Sequence, residues 1–149
     1  MAGTDKTKKY DCGGPSIILV KPQLSENIGS VARVMFNFGL NDLRIIEPKE
    51  GWPNAKAISS SAGALEKLGD RVKIYNNVNQ AIGDINYLIA TSVRERQSVC
   101  EIVSPKEGIY RIRDSINKGL KTGLIFGPEK AGLINDDIVK ADSVISIPT

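Results

Sequence analysis

The stretch "SIILVKPQLSENIGSVARVMFNFGLNDLRIIEP", Ser16 to Pro48, decides the fold class. It opens with a short apolar run that predicts a buried strand, and a second such run closes it from Leu43. Between them, Glu26 to Phe38 has the apolar spacing of a helix. Its predicted buried stripe falls at i, i+3, i+4 and i+7: Ile28, Val31, Ala32 and Met35. A strand, a helix and a second strand in this order predict a parallel pair.

The same alternation continues to the end of the chain. Further strands are predicted at Val72 to Tyr75, Tyr87 to Ser92, Gly123 to Pro128 and Ser143 to Pro148. Helical patterns lie between them, at Ala55 to Leu68, Val78 to Ile82, Pro105 to Asn117 and Asp136 to Ala141. The pattern predicts an α/β fold: an open, mostly parallel sheet with helices on both faces. A flavodoxin-like or receiver-type domain shares this class, but the acidic residues that a receiver needs after its first and third strands are absent.

Length and composition set the outer bounds. The chain has 149 residues, 41% of them apolar and 25% charged, with a net charge of +3. We expect a flexible tail over residues 1–14 and one domain over residues 15–149. The tail has no apolar stretch typical of a secretory signal, and no run approaches the roughly 20 apolar residues that span a bilayer. Two cysteines make no disulfide framework, so we expect a cytoplasmic protein.

The chain contains no histidine. Catalysis by Ser-His-Asp or Cys-His groups and HExxH zinc sites are therefore excluded within it, and no metal site is predicted. The turns that leave the predicted strands also lack GxxxxGK[ST] and GxGxxG, so a phosphate-cradling loop is not predicted. Any chemistry must rely on other polar side chains or on a bound cofactor.

The helix after the first strand has an unusual beginning. Ser25 is the predicted N-cap residue. Helical side chains lean toward the N-terminus, so Arg33 is expected to lie over the turn that contains Gly29, where no side chain obstructs it. This places the guanidinium toward the carboxyl ends of the strands, where ligands bind in open α/β sheets. The alternative is that Arg33 lies on a solvated helix face.

Two later turns reach the same end of the predicted sheet. In "LIFGPEKAGL", Leu124 to Leu133, a strand leads directly into Gly127, which permits a positive φ or a close approach of a ligand to the backbone, and then presents Glu129. In "ATSVRERQ", Ala90 to Gln97, small hydroxylated residues end a strand and a basic loop follows. Each turn, considered alone, is also compatible with ordinary solvated loop residues.

Together the three segments resemble a known family. The motifs "NIGSVAR" (Asn27 to Arg33), "FGPEKAGL" (Phe126 to Leu133) and a closing "SIP" are similar to those of the SpoU/TrmH branch of the SPOUT methyltransferases. The likeness covers roughly residues 17–149 and is greatest to the TrmJ-like tRNA (cytidine/uridine-2′-O-)methyltransferases. It implies a trefoil-knotted α/β fold, S-adenosyl-L-methionine as methyl donor, a homodimer, and 2′-O-methylation of an RNA ribose in the tRNA anticodon loop.

The resemblance also assigns residues. It implies that Arg33, Asn27 and Glu129 are catalytic, and that the cofactor pocket is lined by five positions: Thr91, Ser92, Val93, Gly127 and Ile147. Because guanidinium groups stay protonated in proteins, Arg33 is expected to stabilise the developing 2′-alkoxide rather than to accept a proton. The basic residues Arg94 and Arg96 are expected to bind RNA.

One feature departs from the family pattern. The third motif of the family continues past "IPT" into a final helix that completes the knot, whereas this sequence stops at Thr149. We therefore expect the knot-completing C-terminal segment to be missing from this chain. The alternative function is a non-catalytic RNA-binding relative of the same fold, which would bind no methyl donor.

Overall fold

Seven short strands form the centre of the molecule in a computed structural model that describes residues 14–92 and 100–147. The strands in this part of the chain are β1 (Ser16–Val20), β2 (Leu43–Ile46), β3 (Val72–Tyr75), β4 (Tyr87–Ser92), β5 (Glu101–Val103), β6 (Thr122–Phe126) and β7 (Ser143–Ser146). Residues 1–13 of the predicted tail lie outside the described residues, as do Val93, Arg94 and Arg96.

The helices of the described residues alternate with these strands. They are α1 (Ser25–Asn37), α2 (Ala55–Ser60), α3 (Ala64–Leu68), α4 (Val78–Ala81), α5 (Pro105–Asn117) and α6 (Asn135–Ile138), with one 3₁₀ turn at Gly69–Arg71. None of the helices in this part of the chain is long and apolar enough to cross a membrane.

All seven strands are parallel, in the order β3-β2-β1-β6-β4-β7-β5. This confirms the predicted α/β class, and the sheet is wholly rather than mostly parallel. The chain winds from β1 outward through β2 to β3, whereas β4 to β7 lie on the other side of β1. The order therefore reverses between β1 and β6, which is where a crevice forms at the carboxyl ends of the strands. The knot remains a prediction.

Helices cover both faces of the sheet, as predicted. Alternate residues of β1 point to opposite faces, so Ile17 and Leu19 pack against α1, α2 and α3, while Ile18 and Val20 pack against α4 and α6. Helix α5 lies on the same face as α1, over β4 and β7, where Ile112 contacts the buried residues of those strands. Because both faces are covered, inner strands such as β1 and β2 are continuous buried runs rather than alternating ones, whereas the edge strand β3 has no fully buried residue.

Two predictions about the elements are wrong. The helix expected from Ala55 to Leu68 is two helices, because Ala62 and Gly63 have positive φ values of 50° and 88° and break it. Strand β5 was not expected. It has only three residues, too few for an apolar run, and it is a strand because it pairs with β7.

A buried arginine joins the elements at the amino end of the sheet. Arg44 on β2 is almost fully buried, and its guanidinium donates to Asp42, to Asp84 and to the carbonyl of Ala81 at the end of α4. Burial by itself lowers the pKa of Arg44, but the two carboxylates outweigh it and raise that pKa. The pKa of Asp42 is lowered: its burial acts upward, and the hydrogen bonds from Arg44 and Ser16 outweigh it.

Candidate functional site

Two cavities meet at the carboxyl end of the sheet, beside the reversal of strand order. The larger, called here the helix cavity, has a volume of about 490 Å³ and lies between α1 and the strands β1 and β6. The smaller, called here the strand-end cavity, has a volume of about 180 Å³ and lies where β4, β6 and β7 end. Phe126, Gly127 and Glu129 line both cavities, so the two are contiguous at the turn that follows β6.

The strand-end cavity contains most of the residues predicted to hold the cofactor. Thr91, Ser92, Gly127 and Ile147 line it together. The Thr91 hydroxyl donates to the carbonyl of Ile125 at 3.3 Å, which fixes its side chain across the end of β6. Val93, the fifth predicted residue, lies outside the described residues. The charged lining residues Glu129 and Lys130 have opposite signs, and the other lining groups are hydroxyls, backbone and apolar side chains. This lining suits a neutral, hydrogen-bonding ligand such as a nucleoside better than a phosphate.

The helix cavity is mainly apolar, with a polar mouth. Its walls are side chains of β1, β6 and the inner face of α1, such as Leu19 and Val31. Asn27, Ser30 and Glu129 are its polar lining residues. The predicted catalytic residues Asn27 and Glu129 are therefore neighbours, although 102 positions separate them in the sequence.

Glu129 ties the turn after β6 to the start of α1. Its carboxylate accepts from the backbone N–H of Gln23 at 2.9 and 3.0 Å, from that of Leu24 at 2.7 Å and from Asn27 Nδ2 at 3.2 Å. Partial burial acts to raise the pKa of Glu129, but the N–H groups of Gln23 and Leu24 outweigh it and lower that pKa. A carboxylate with a lowered pKa is a poor proton acceptor, so this geometry favours a positioning role.

The predicted N-cap residue of α1 is wrong. Leu24 holds the N-cap position without a side-chain cap, and Ser25 is already helical and buried. The unpaired N–H groups that every helix start presents are instead satisfied by two distant carboxylates. Glu129 accepts from Leu24, and Glu50 Oε1 accepts from the N–H of Ser25 at 2.8 Å. Glu50 was missed because no local spacing links it to a helix 25 residues earlier.

Gly29 has a different role from the predicted one. It faces α2, and an added Cβ would lie 1.8 Å from Ser60 Oγ and 2.3 Å from the carbonyl oxygen of Ala57. The absence of a side chain therefore lets α1 and α2 pack closely, with the Ser60 hydroxyl donating to the carbonyl of Glu26 at 3.0 Å. Helix packing, rather than room for Arg33, explains this glycine.

Gly127 also serves the chain's own packing. It does not have a positive φ, and an added Cβ would lie 2.3 Å from the backbone nitrogen of Leu133 and 2.4 Å from the carbonyl carbon of Gly132. The turn from Pro128 to Gly132 thus folds back onto the end of β6. This close backbone approach shapes the wall between the two cavities.

Arg33 lies on α1 one turn after Ser30 and is exposed. It lines neither cavity, and among residues 14–92 and 100–147 it forms no hydrogen bond or ion pair. The structure thus brings Asn27, Glu129 and Gly127 together. Arg33 follows Asn27 on α1, and its guanidinium is not engaged by any described residue. In the described part of the chain, no group of His, Cys, Asp and Glu side chains is arranged to hold a metal ion.

The chain resembles known proteins over most of its length. A family model described as the SpoU rRNA Methylase family matches residues 14–149. The chain belongs to this family. It is 42% identical over 137 residues to the tRNA (cytidine-2′-O-)-methyltransferase TrmJ of Methanocaldococcus jannaschii, which confirms the resemblance to TrmJ-like proteins. The match covers 90% of this chain and 57% of that protein, so the chain spans little more than half the length of this relative.

Solved structures show the same fold. The crystal structure of TrmJ from Z. mobilis ZM4 superposes with a TM-score of 0.81 at 39% identity, and the match covers 91% of this chain and 59% of that one. The SpoU methyltransferase AviRb from Streptomyces viridochromogenes, in complex with AdoMet, superposes with a TM-score of 0.67 at 19% identity, covering 92% and 49% of the two chains. The second likeness concerns the fold alone.

Proposed function

We propose that this protein transfers the methyl group of S-adenosyl-L-methionine to a ribose 2′-hydroxyl of RNA, most specifically to a cytidine or uridine of the tRNA anticodon loop. The observation that carries the proposal is the contiguity of the two cavities at Gly127 and Glu129. One cavity offers a hydroxyl and backbone lining, and the other presents Asn27 at the start of α1. Membership of the SpoU family and the tRNA 2′-O-methyltransferase activity in the relative's name support this reading.

The strand-end cavity is the proposed cofactor site. Thr91, Ser92, Gly127 and Ile147 line it, with Val93 directly after β4, and their small size and backbone groups suit an adenosine. AdoMet is present in the structure of the SpoU methyltransferase AviRb, whose fold this chain shares. When bound, the cofactor supplies an electrophilic methyl group on sulfur. The residues that line the strand-end cavity would hold it next to the helix cavity, from which the ribose would approach.

Arg33 is the proposed catalytic residue. In the proposed transfer, the ribose oxygen bonds to the methyl carbon as the carbon–sulfur bond breaks, and the hydroxyl proton passes to water or to an RNA phosphate. Loss of the proton leaves negative charge on the oxygen, and a guanidinium that is not engaged by any described carboxylate is free to stabilise that charge. Asn27 and Glu129 position the start of the helix that bears Arg33, through the bonds to Gln23 and Leu24. In favourable geometry, positioning of two reactants contributes about 7–11 kcal/mol to lowering a barrier.

RNA is the proposed partner, because the accepting 2′-hydroxyl is the group that DNA lacks. Arg94 and Arg96 follow β4 in the sequence and are proposed to contact the phosphates of the RNA. A homodimer is also proposed, because exposed apolar side chains lie on α1 and at its C-cap, beside the helix cavity, with Val34 at 55% and Phe38 at 78% exposure. Light scattering after size exclusion would test the dimer. We also propose a cytoplasmic location, where tRNA is available.

Methyl transfer tests the proposed function directly. The chain is incubated with unmodified tRNA and methyl-labelled S-adenosyl-L-methionine, and cofactor affinity is measured separately by calorimetry. Arg33→Ala is expected to abolish transfer while leaving cofactor affinity within about twofold. Arg113→Ala, which removes an exposed arginine of α5 that has no ion pair in the described residues, is the matched control and should retain activity. Full activity in Arg33→Ala would refute the role of Arg33, and no cofactor binding in the native chain would favour a non-catalytic RNA-binding relative.

A further inference from the structure

A third cavity opens at the carboxyl end of the sheet, separate from the two already described. It has a volume of about 210 Å³ and lies where β1, β2 and β3 end, below α4 and α6. Buried Val20, Ile46 and Val78 form its apolar floor, and Ile134, which is 58% exposed, forms part of its wall. Its volume is below the roughly 300 Å³ at which pockets for drug-sized ligands begin, so it accommodates a single small ring system.

Three asparagines supply the uncharged polar side chains of this cavity, which we call the amide cavity. Asn77 is engaged in folding, because its Oδ1 accepts from the N–H of Gln80 and caps α4. Asn76 and Asn79 are exposed, and their side chains form no hydrogen bond within the described residues. Each amide group offers both a donor and an acceptor. Two unengaged amides above an apolar floor can thus bind a planar ligand that itself presents donors and acceptors.

The charges of the amide cavity come in matched pairs. Lys21 Nζ lies 3.8 Å from Glu47 Oε2, and Lys140 Nζ lies 3.6 Å from Asp137 Oδ1. All four side chains line the cavity, so its net charge is zero. A phosphate would meet two carboxylates as well as two ammonium groups. This balance favours a neutral ligand.

The backbone at the mouth of the cavity is held in an unusual conformation. Lys21 and Glu47 directly follow the paired residues Val20 and Ile46 of β1 and β2, and both have left-handed φ values, 48° and 45°. Non-glycine residues rarely adopt this conformation because it is strained, and such residues cluster at ligand sites. Here the conformation turns the segments after β1 and β2 away from the sheet and leaves the cavity open above Val20.

We propose that the amide cavity binds an unpaired nucleobase of the RNA substrate through Asn76 and Asn79. The inference rests on the proposed RNA-methylating function and adds a second point of RNA contact. Proteins read single-stranded RNA by hydrogen bonds to base edges and by apolar contact with base faces, which are the two features this cavity combines. Leu133 lines the strand-end cavity and the adjacent Ile134 lines the amide cavity. The amide cavity therefore adjoins the proposed cofactor site along the chain.

Titration with nucleosides tests the site without any methyl transfer. The side-chain amide signals of Asn76 and Asn79 are followed by nitrogen–proton NMR during addition of cytidine, uridine, adenosine or guanosine, with ribose 5-phosphate as the phosphate-bearing control. At least one nucleoside is expected to shift both signals saturably, while those of Asn117, at the far end of α5, stay fixed. The proposal is overturned if no nucleoside shifts them, or if ribose 5-phosphate alone does.

Binding of tRNA provides the second measurement. Asn76→Ala combined with Asn79→Ala is expected to weaken tRNA binding about tenfold, since each lost hydrogen bond is worth roughly threefold or more, whereas Asn117→Ala leaves it unchanged. Both substituted side chains are exposed, so the double variant should unfold at the same temperature as the native chain. Equal affinity of the double variant and the native chain would overturn the proposal.

Methyl transfer by the native chain, measured in parallel, separates the two hypotheses. Transfer without nucleoside-induced shifts overturns only the base site. Shifts without transfer leave the base site standing and refute the methyltransferase assignment.

Discussion

Replacement of Glu129 by glutamine is expected to loosen the junction between β6 and α1. The carboxylate accepts from two consecutive backbone N–H groups, those of Gln23 and Leu24, at 2.7–3.0 Å, and from Asn27 Nδ2 at 3.2 Å. Glu129→Gln keeps one accepting oxygen and converts the other into an NH₂ group. That group is a donor directed at other donors, so the variant loses the negative charge and about half of the hydrogen bonds.

The expected loss can be worked out from these contacts. A hydrogen bond to a charged group contributes roughly 1.5–3 kcal/mol in a buried setting. Glu129 is exposed, and solvent screening reduces such contributions considerably. We therefore expect Glu129→Gln to lower the free energy of unfolding by about 1–2 kcal/mol. For a chain of this size, that corresponds to a decrease of roughly 3–8 °C in Tm.

The effect should depend on pH in a defined direction. The pKa of Glu129 in the folded protein lies below its ordinary value of 4.5, because the N–H groups of Gln23 and Leu24 outweigh the effect of its partial burial. Its contribution is thus fully present above pH 4.5 and is lost as the pH falls through the lower folded pKa. The stability difference between the native chain and Glu129→Gln should be constant near neutrality and shrink in acid.

Urea unfolding followed by the fluorescence of Trp52 measures the loss in free energy of unfolding and its dependence on pH. Glu26→Gln is the matched control. Like Glu129→Gln it removes one negative charge near the start of α1, but it removes no side-chain hydrogen bond of the described residues. We expect it to cost less than about 0.5 kcal/mol, the effect of the helix dipole alone. Equal losses in the two variants, or a difference for Glu129→Gln that is the same at pH 3 and pH 7, would refute the capping argument.

Other substitutions test the packing, the ion network and the RNA surface. Arg44→Met leaves carboxylates without their buried partner and should lower the free energy of unfolding by about 2–4 kcal/mol in urea; a loss under about 1 kcal/mol would contradict the network. Gly29→Ala should cost about 1–3 kcal/mol because its Cβ would overlap α2, whereas the control Gly83→Ala, whose nearest new contact is 3.6 Å away, should cost little. Arg94→Ala with Arg96→Ala should weaken tRNA binding and reduce the slope of log affinity against log salt by about 2; an unchanged slope would exclude them from the RNA surface.

The periodicity of the sequence predicts most of the fold. Six of the seven described strands were predicted from apolar runs bounded by Gly, Pro or polar residues, and α5 was predicted from Pro105 to Asn117 as observed. These signals are local, since burial on both faces leaves its trace in each strand separately. Strand β5 has too few residues to show such a trace. The break between α2 and α3 depends on a positive φ at Ala62, which alanine rarely adopts.

The site was predicted less completely, because its contacts join distant segments. The sequence predicted that Arg33 and Glu129 lie at the same edge of the sheet. The structure joins Glu129 to Asn27, at the start of the helix that bears Arg33. The sequence could not indicate that Glu129 binds the backbone before α1, or that Glu50 replaces Ser25 as the cap. Local spacing carries no information about a partner 25 or more residues away. The catalytic role of Arg33 stays a prediction.

The buried Arg44 network lies at the amino end of the strands, and all proposed site residues of the described chain lie at the carboxyl end or along α1. A strand such as β1, with five residues, separates these ends by about 13 Å. Substitutions more than roughly 7–10 Å apart without shared partners usually have additive energies. Tolerance to mutation at one end should therefore be independent of the other, so that a stabilised amino end could offset the cost of altered specificity at the carboxyl end.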